Sequence, residues 1–195
     1  MYLIIVSIAL NLSLVCSTWA QSSFELANKH TPLVNAPVFD AQGELLSGPQ
    51  YLAELWGGTT ADSLTPLVDI AQGFRREMAP FISPGYFFSP SAYLSGTNVP
   101  PLGFAWLQVR VWDTSLGATY EEVAGLAIGG YGESPLFYAQ GRNPLLAPPD
   151  LPGPLIGLQS FSLLPVVPEP STWVLLALGG ATLRWVVRRQ RLRKP

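Results

Sequence analysis

Residues 103–113 read GFAWLQVRVWD, and their alternation decides the fold class. Ala105, Leu107, Val109 and Val111 fall on one side of an extended chain. Phe104, Trp106, Gln108, Arg110 and Trp112 fall on the other. A period of two sustained this long is that of a strand with one aliphatic face. The opposite face is aromatic with two polar groups, which leaves it either covered in part or exposed. Tyr51 to Trp56 alternates in the same way, with Tyr51, Ala53 and Leu55 opposite Leu52, Glu54 and Trp56. Asp40-Ala41-Gln42-Gly43 has turn composition and joins Val38-Phe39 to Leu45-Leu46 as a hairpin. Tyr86 to Phe88, Leu126 to Ile128 and Leu136 to Tyr138 read as short strands, and Leu155 to Leu163 as a last one. One helical turn is predicted at Thr119 to Ala124, where Thr119 and Glu122 have capping-box spacing. Short strands punctuated by Gly and Pro, without alternating helices, predict an all-β fold. Its expected form is an antiparallel β-sandwich or jelly-roll-like body. No tandem repeat of fixed period is present, which argues against a solenoid or propeller.

The 195 residues suffice for one ordinary domain with short targeting segments. Charged residues make up 12% of the chain, about half the usual share. With 48% hydrophobics, 19 Pro and 18 Gly, this excludes a charged disordered chain, a coiled coil and a basic nucleic-acid-binding domain. The net charge of −2 conceals two regions. Residues 21–167 carry twelve acids against five bases, whereas six bases crowd the end: Arg184, Arg188, Arg189, Arg191, Arg193 and Lys194.

The first twenty residues are almost wholly apolar from Tyr2 to Val15, interrupted only by Ser7, Asn11 and Ser13, and end in Thr18-Trp19-Ala20. Small residues at −3 and −1 predict a secretory signal peptide over 1–20, cut between Ala20 and Gln21. The flank of Cys16 is a poor lipidation site, so the only cysteine leaves with the signal. The exported body then has no disulfide and must rest on its core, for which about 145 residues are enough.

At the other end, Trp173 to Leu183 is uncharged and almost wholly apolar. As a helix, residues 171–187 would reach about 25 Å, the short end of what crosses a bilayer. Trp173 and Trp185 would lie at the two interfaces, Arg184 would snorkel, and the basic residues at 188–195 would mark the cytoplasmic side and stop transfer. A buried core helix would leave this run of bases without a reason.

The sequence carries no recognisable catalytic constellation. His30 is the sole histidine and has no second His or Cys with which to share a metal. Glu121-Glu122 reads as a helix start rather than a carboxylate pair, because adjacent helical side chains diverge. Glu54, Asp113 and Glu133 are too scattered to indicate a glycosidase. Gly132-Glu133-Ser134-Pro135-Leu136 lacks the second glycine of a nucleophile elbow and reads as a turn. No cofactor and no metal are expected. Trp56, Trp106, Trp112 and Tyr131 suit either a sandwich core or a platform for sugar rings. Trp106 and Trp112 are the residues named for such a ligand face.

The closing stretch VVPEPSTWVLLALGGATLRWVVRRQRLRKP resembles the PEP-CTERM sorting signal of Gram-negative bacteria. The likeness rests on Pro168-Glu169-Pro170 directly before an apolar span and a basic tip. Tails of this kind are also labelled ice-binding protein C-terminal, which describes the tail and not an activity. Thr59-Thr60 is the only threonine pair that would suit an ice-binding array. The resemblance implies a domain order: signal peptide 1–20, extracytoplasmic body 21–164, and sorting signal 165–195. Within the last lie the motif 168–170, a transmembrane helix at about 171–187 and a basic tail 188–195. It implies as partners the general secretory machinery and a membrane-embedded exosortase that recognises Pro168, Glu169 and Pro170. It further implies a precursor anchored in the inner membrane and a product on the cell surface or in the extracellular matrix, associated with exopolysaccharide and biofilm. YLAELWGG, LQVRVWDTSLGATYEE and LIGLQSFSLLP are similar to uncharacterised ectodomains on such tails. Three roles stay open for the body: a non-enzymatic surface or matrix protein, an exopolysaccharide-binding module, and a permanently anchored single-span membrane protein.

Overall fold

The computed structural model describes residues 21–69, 75–89, 94–95 and 98–166. The signal peptide and Ala20, the sorting motif at 168–170, the span at 171–187 and the basic tail lie outside the described residues. Among the described residues no helix is long and apolar enough to cross a membrane.

Fourteen strands and one helix are described. The strands are β1 (Lys29–His30), β2 (Val34–Asn35), β3 (Val38–Phe39), β4 (Tyr51–Gly58), β5 (Thr65–Pro66), β6 (Val68–Asp69) and β7 (Arg75–Arg76). They continue as β8 (Met78–Ser83), β9 (Tyr86–Phe87), β10 (Leu94–Ser95), β11 (Phe104–Asp113), β12 (Tyr131–Glu133), β13 (Phe137–Gln140) and β14 (Phe161–Ser162). Helix α1 (Tyr120–Leu126) lies between β11 and β12.

Strand β11 is the spine of the main sheet, whose order is β12-β11-β4-β8-β9, with β13 also on β11 and β5 on β4. On one edge β11 pairs antiparallel with β4, from Trp106 opposite Gly58 to Asp113 opposite Tyr51. On its other edge it meets β13 through Phe104–Leu107 and β12 through Arg110–Trp112. Ser134 fills the break between these two partners. Its hydroxyl accepts from the Val109 N–H at 3.0 Å and its own N–H donates to the Val109 carbonyl. The turn expected at 132–136 is therefore displaced: Gly132 and Glu133 belong to β12, and Ser134 follows it bonded to Val109.

The alternation of β11 holds on its aliphatic side: Ala105, Leu107, Val109 and Val111 are all 0% exposed. They share one core with Ala53 and Leu55 of β4, Ala79 of β8, and Phe137 and Ala139 of β13. The layer over this face is made by both ends of the described chain. Phe24, Leu26, Val38 and Leu46 come from one end, and Leu155, Leu158, Phe161 and Leu163 from the other. Buried Asn28 secures the layer. Its amide donates to the carbonyls of Ala36 and Gly85, both at 2.8 Å, and its carbonyl oxygen accepts from the Phe87 N–H at 2.9 Å. The hairpin at Asp40 forms as expected, with Phe39 bridged to Leu45 and the Asp40 carboxylate capping the N–H groups of Gln42 and Glu44.

Two strand expectations are corrected. Leu126 to Ile128 is not a strand: Leu126 ends α1, and Ala127 caps it in the left-handed conformation. Leu155 to Leu163 is strand only at Phe161–Ser162, and that strand runs parallel to β3. The described strands form one seven-stranded sheet and three small ones. The all-β, mainly antiparallel class stands.

Candidate functional site: the polar and aromatic face of the main sheet

The side of the sheet turned away from the core carries the unusual chemistry. Its residues are set in rows by the β4–β11 register. Trp112 lies opposite Leu52 and Tyr131, Arg110 opposite Glu54 and Glu133, Gln108 opposite Trp56, and Trp106 opposite Tyr138. Helix α1 packs over one end of these rows, beginning where the Thr119 hydroxyl accepts from the Glu122 N–H. The Glu122 carboxylate in turn accepts from the Ala118 N–H at 2.7 Å, one residue before the expected box partner.

At the centre lies Glu54, a carboxylate with 0% exposure in the middle of a strand. Arg76 holds it by two parallel hydrogen bonds, Nε to Oε1 at 2.5 Å and Nη2 to Oε2 at 2.6 Å, and the Trp56 indole N–H donates to it at 2.9 Å. This fork geometry satisfies the carboxylate lone pairs that burial would otherwise leave bare. The Arg76 guanidinium also reaches Glu121 on α1, at 3.1 and 3.3 Å. A second guanidinium, Arg110, lies 3.8 Å from the centroid of the Trp56 ring and 5.0 Å from that of Tyr120. Its Nε donates to Gln108 at 2.9 Å, and Glu133 stands 3.9 Å away.

Ionisation follows this geometry. The hydrogen bond to Glu54 is the main cause that raises the Arg76 pKa above the usual arginine value, against the opposing effect of burial. Burial pushes the Glu121 carboxyl up, but hydrogen bonds from Arg76 and from its own backbone together outweigh this and hold it below its ordinary value. Burial, with nearby Glu133, raises the Tyr120 phenol above the usual tyrosine range, and its OH donates to Glu133 at 3.2 Å. Glu54 is committed to Arg76 and Trp56, and Glu133 to Tyr120 and Arg110. Both carboxylates serve as acceptors for these partners.

The two tryptophans named for a ligand face part company. Trp112 is only 1% exposed and packs in a second small core with Tyr120 and Val123, so it belongs to the interior. Trp106 lies beyond the reach of α1 and is half-buried. Its ring centroid is 5.2 Å from that of Tyr138, which stacks on Phe104 at the same distance. Phe104 and Tyr138 are 49% and 54% exposed. The open aromatic strip is therefore Phe104, Trp106 and Tyr138. Phe104 was legible from the alternation of β11, whereas Tyr138 depended on a pairing with β13 that no local pattern announces. Trp56 and Tyr131 join the covered part of the face. His30 is exposed and 3.1 Å from Glu25. Among the described residues no three His, Cys, Asp or Glu side chains gather as a metal site requires.

The second site is the end of the described chain. Residues 161–166 run between β3 and β12: the Leu163 N–H donates to Phe39, the Leu164 N–H to Tyr131, and the Gly130 N–H to Leu164. Val166 is the last residue described. Residues 166–190 match the PEP-CTERM protein-sorting motif. The motif marks exported proteins handled by the exosortase system. No curated protein and no solved structure matches the chain.

Proposed function

We propose that this chain is a surface or extracellular-matrix protein whose folded body acts without catalysis and whose tail delivers it. The observation that carries the reading is the PEP-CTERM match over residues 166–190. In this reading the secretory machinery exports the precursor and the signal peptide is removed between Ala20 and Gln21. The apolar span at about 171–187 and the bases from Arg188 to Lys194 hold it in the inner membrane. The exosortase acts at Pro168-Glu169-Pro170. Proline disfavours helix and biases the residue before it toward extended backbone, the form a processing enzyme grips. The body, acidic and built around a committed salt-bridge lattice, supports an interaction role rather than hydrolysis or nucleic-acid binding.

The test is intact-mass analysis of the membrane, surface and medium fractions for wild type and for a variant with alanine at 168–170. The expected result is export of both, with the alanine variant retained in the membrane at precursor mass. If the variant reaches the surface at the wild-type mass, a permanently anchored protein or another protease is the better account.

A second reading is favoured by the exposed strip of Phe104, Trp106 and Tyr138. Aromatic faces open to solvent are the surfaces on which the CH faces of sugar rings stack, and exopolysaccharide is the ligand such a strip would take in the matrix. Trp106→Ala should abolish retention of the body on the native polysaccharide while its circular dichroism stays unchanged. Retention equal to wild type would remove this reading.

A further inference from the structure

The chain shortly before the sorting motif is already docked by backbone hydrogen bonds. Leu163 and Leu164 are bonded on both sides, to Phe39 across one edge and to Gly130 and Tyr131 across the other. Three glycines make room for this close approach. A Cβ on Gly129 would overlap the Pro165 carbonyl oxygen, and Gly129 and Gly130 also have φ of +90° and +79°. One on Gly130 would collide with Leu116 and crowd Val166, and one on Gly132 would stand 2.7 Å from the Ser162 carbonyl oxygen. Phe161 and Leu163 are anchored in the core beneath. Between Val166 and Pro168 stands only Val167, so the motif begins within about 7 Å of docked backbone at ~3.5 Å per residue.

A processing enzyme that grips its substrate as an extended strand needs free N–H and C=O groups on several residues. In this segment the Leu163 N–H is taken by Phe39, and the Leu164 N–H and C=O by Tyr131 and Gly130. We propose that the folded body restrains its own processing: the Gly129–Gly130–Gly132 cradle clasps residues 161–166, and the exosortase gains full access only when the last turn of this clasp slips. The glycines are positioning residues that act through the docked strand. This inference rests on the sorting reading above.

The test uses the full-length chain in its native host, with conversion of precursor to product followed by pulse-chase and mass. A spacer of about six Gly/Ser residues between Val166 and Val167 adds roughly 20 Å of reach and leaves the clasp untouched. The expected result is conversion roughly tenfold faster, the scale of one net backbone hydrogen bond. Gly129→Ala, which expels Pro165, should also speed conversion, and the spacer should add little on top of it. An unchanged or slower rate with the spacer overturns the proposal; because the spacer does not disturb the fold, this arm decides even if Gly129→Ala misfolds. The alanine variant at 168–170 serves as the separate control. If it stops conversion while the spacer has no effect, only the clasp fails. If it converts like wild type, the sorting reading fails with it.

Discussion

A single row of the sheet shows how a residue acquires its role from what lies above it. Trp106 and Trp112 have the same parity on β11 and are indistinguishable by alternation. Only the position of α1 makes one a core residue and the other a surface one. Glu54 was visible as an acid on the polar side of its strand, yet nothing local signalled that Arg76 would come from 22 residues away to bury it. Arg76→Ala should therefore destabilise the body by about 3 kcal/mol, since it strands a buried carboxylate; the low end of the range applies because the Arg76 side chain is 32% exposed. Urea denaturation of the body checks this. Glu54→Gln added to Arg76→Ala should recover part of the loss, because the uncompensated charge is gone. Glu121 gives a pH signature. Its carboxyl lies lower in the folded state than its ordinary 4.5, so the stability it contributes is present above that value and is lost as pH falls through the folded pKa. Glu121→Gln should flatten this part of the acid limb and lower neutral-pH stability by the same small amount, as expected of a partly exposed pair. An identical acid limb in the two proteins would count against the Arg76–Glu121 pair.

At the level of elements, local signals succeeded where the chain is bonded to itself and failed where a distant partner decides. The Asp40 hairpin and the Thr119 cap were legible because the turn aspartate and the capping threonine act within four residues. The end of α1 was missed because Leu126-Ala127-Ile128 is apolar enough to pass for a strand. In the fold, helix propagation from Thr119 consumes Leu126, and β11 takes Tyr131–Glu133 as its partner instead. The helix ends on Ala127 at φ +56°, where a Cβ is unfavourable and glycine is the usual solution. Ala127→Gly should accordingly stabilise the body by up to about 1 kcal/mol despite the added freedom of the unfolded chain. Thr119→Ala should cost about 1 kcal/mol by leaving the Glu122 N–H uncapped. Thermal melts of the two variants should move in opposite directions; a fall for Ala127→Gly would show that the unfolded-state entropy dominates.

On the scale of the whole molecule, the parallel pairing of β14 with β3 joins residues more than 120 apart, a contact that periodicity cannot report. The hydrogen bonds of Leu164 to Gly130 and Tyr131 tie the residues that follow β14 to the body as well. Leu155, Leu158, Phe161 and Leu163 are all buried in the main core. At roughly 1.5–3 kcal/mol each, their burial amounts to about 6–12 kcal/mol, which is comparable to the entire stability of an ordinary domain. The C-terminal segment is thus a structural part of the body and not a linker to the sorting motif. A fragment of residues 21–166 should fold as a β-rich protein with a cooperative melt, and one of residues 21–154 should not. Val109→Asp should unfold the longer fragment as well, because it sets a charge at a position of 0% exposure. If residues 21–154 give the same far-ultraviolet dichroism and melting point as 21–166, the last strand contributes nothing to the core. The segment before the motif would then be free to act as the flexible spacer that the clasp excludes.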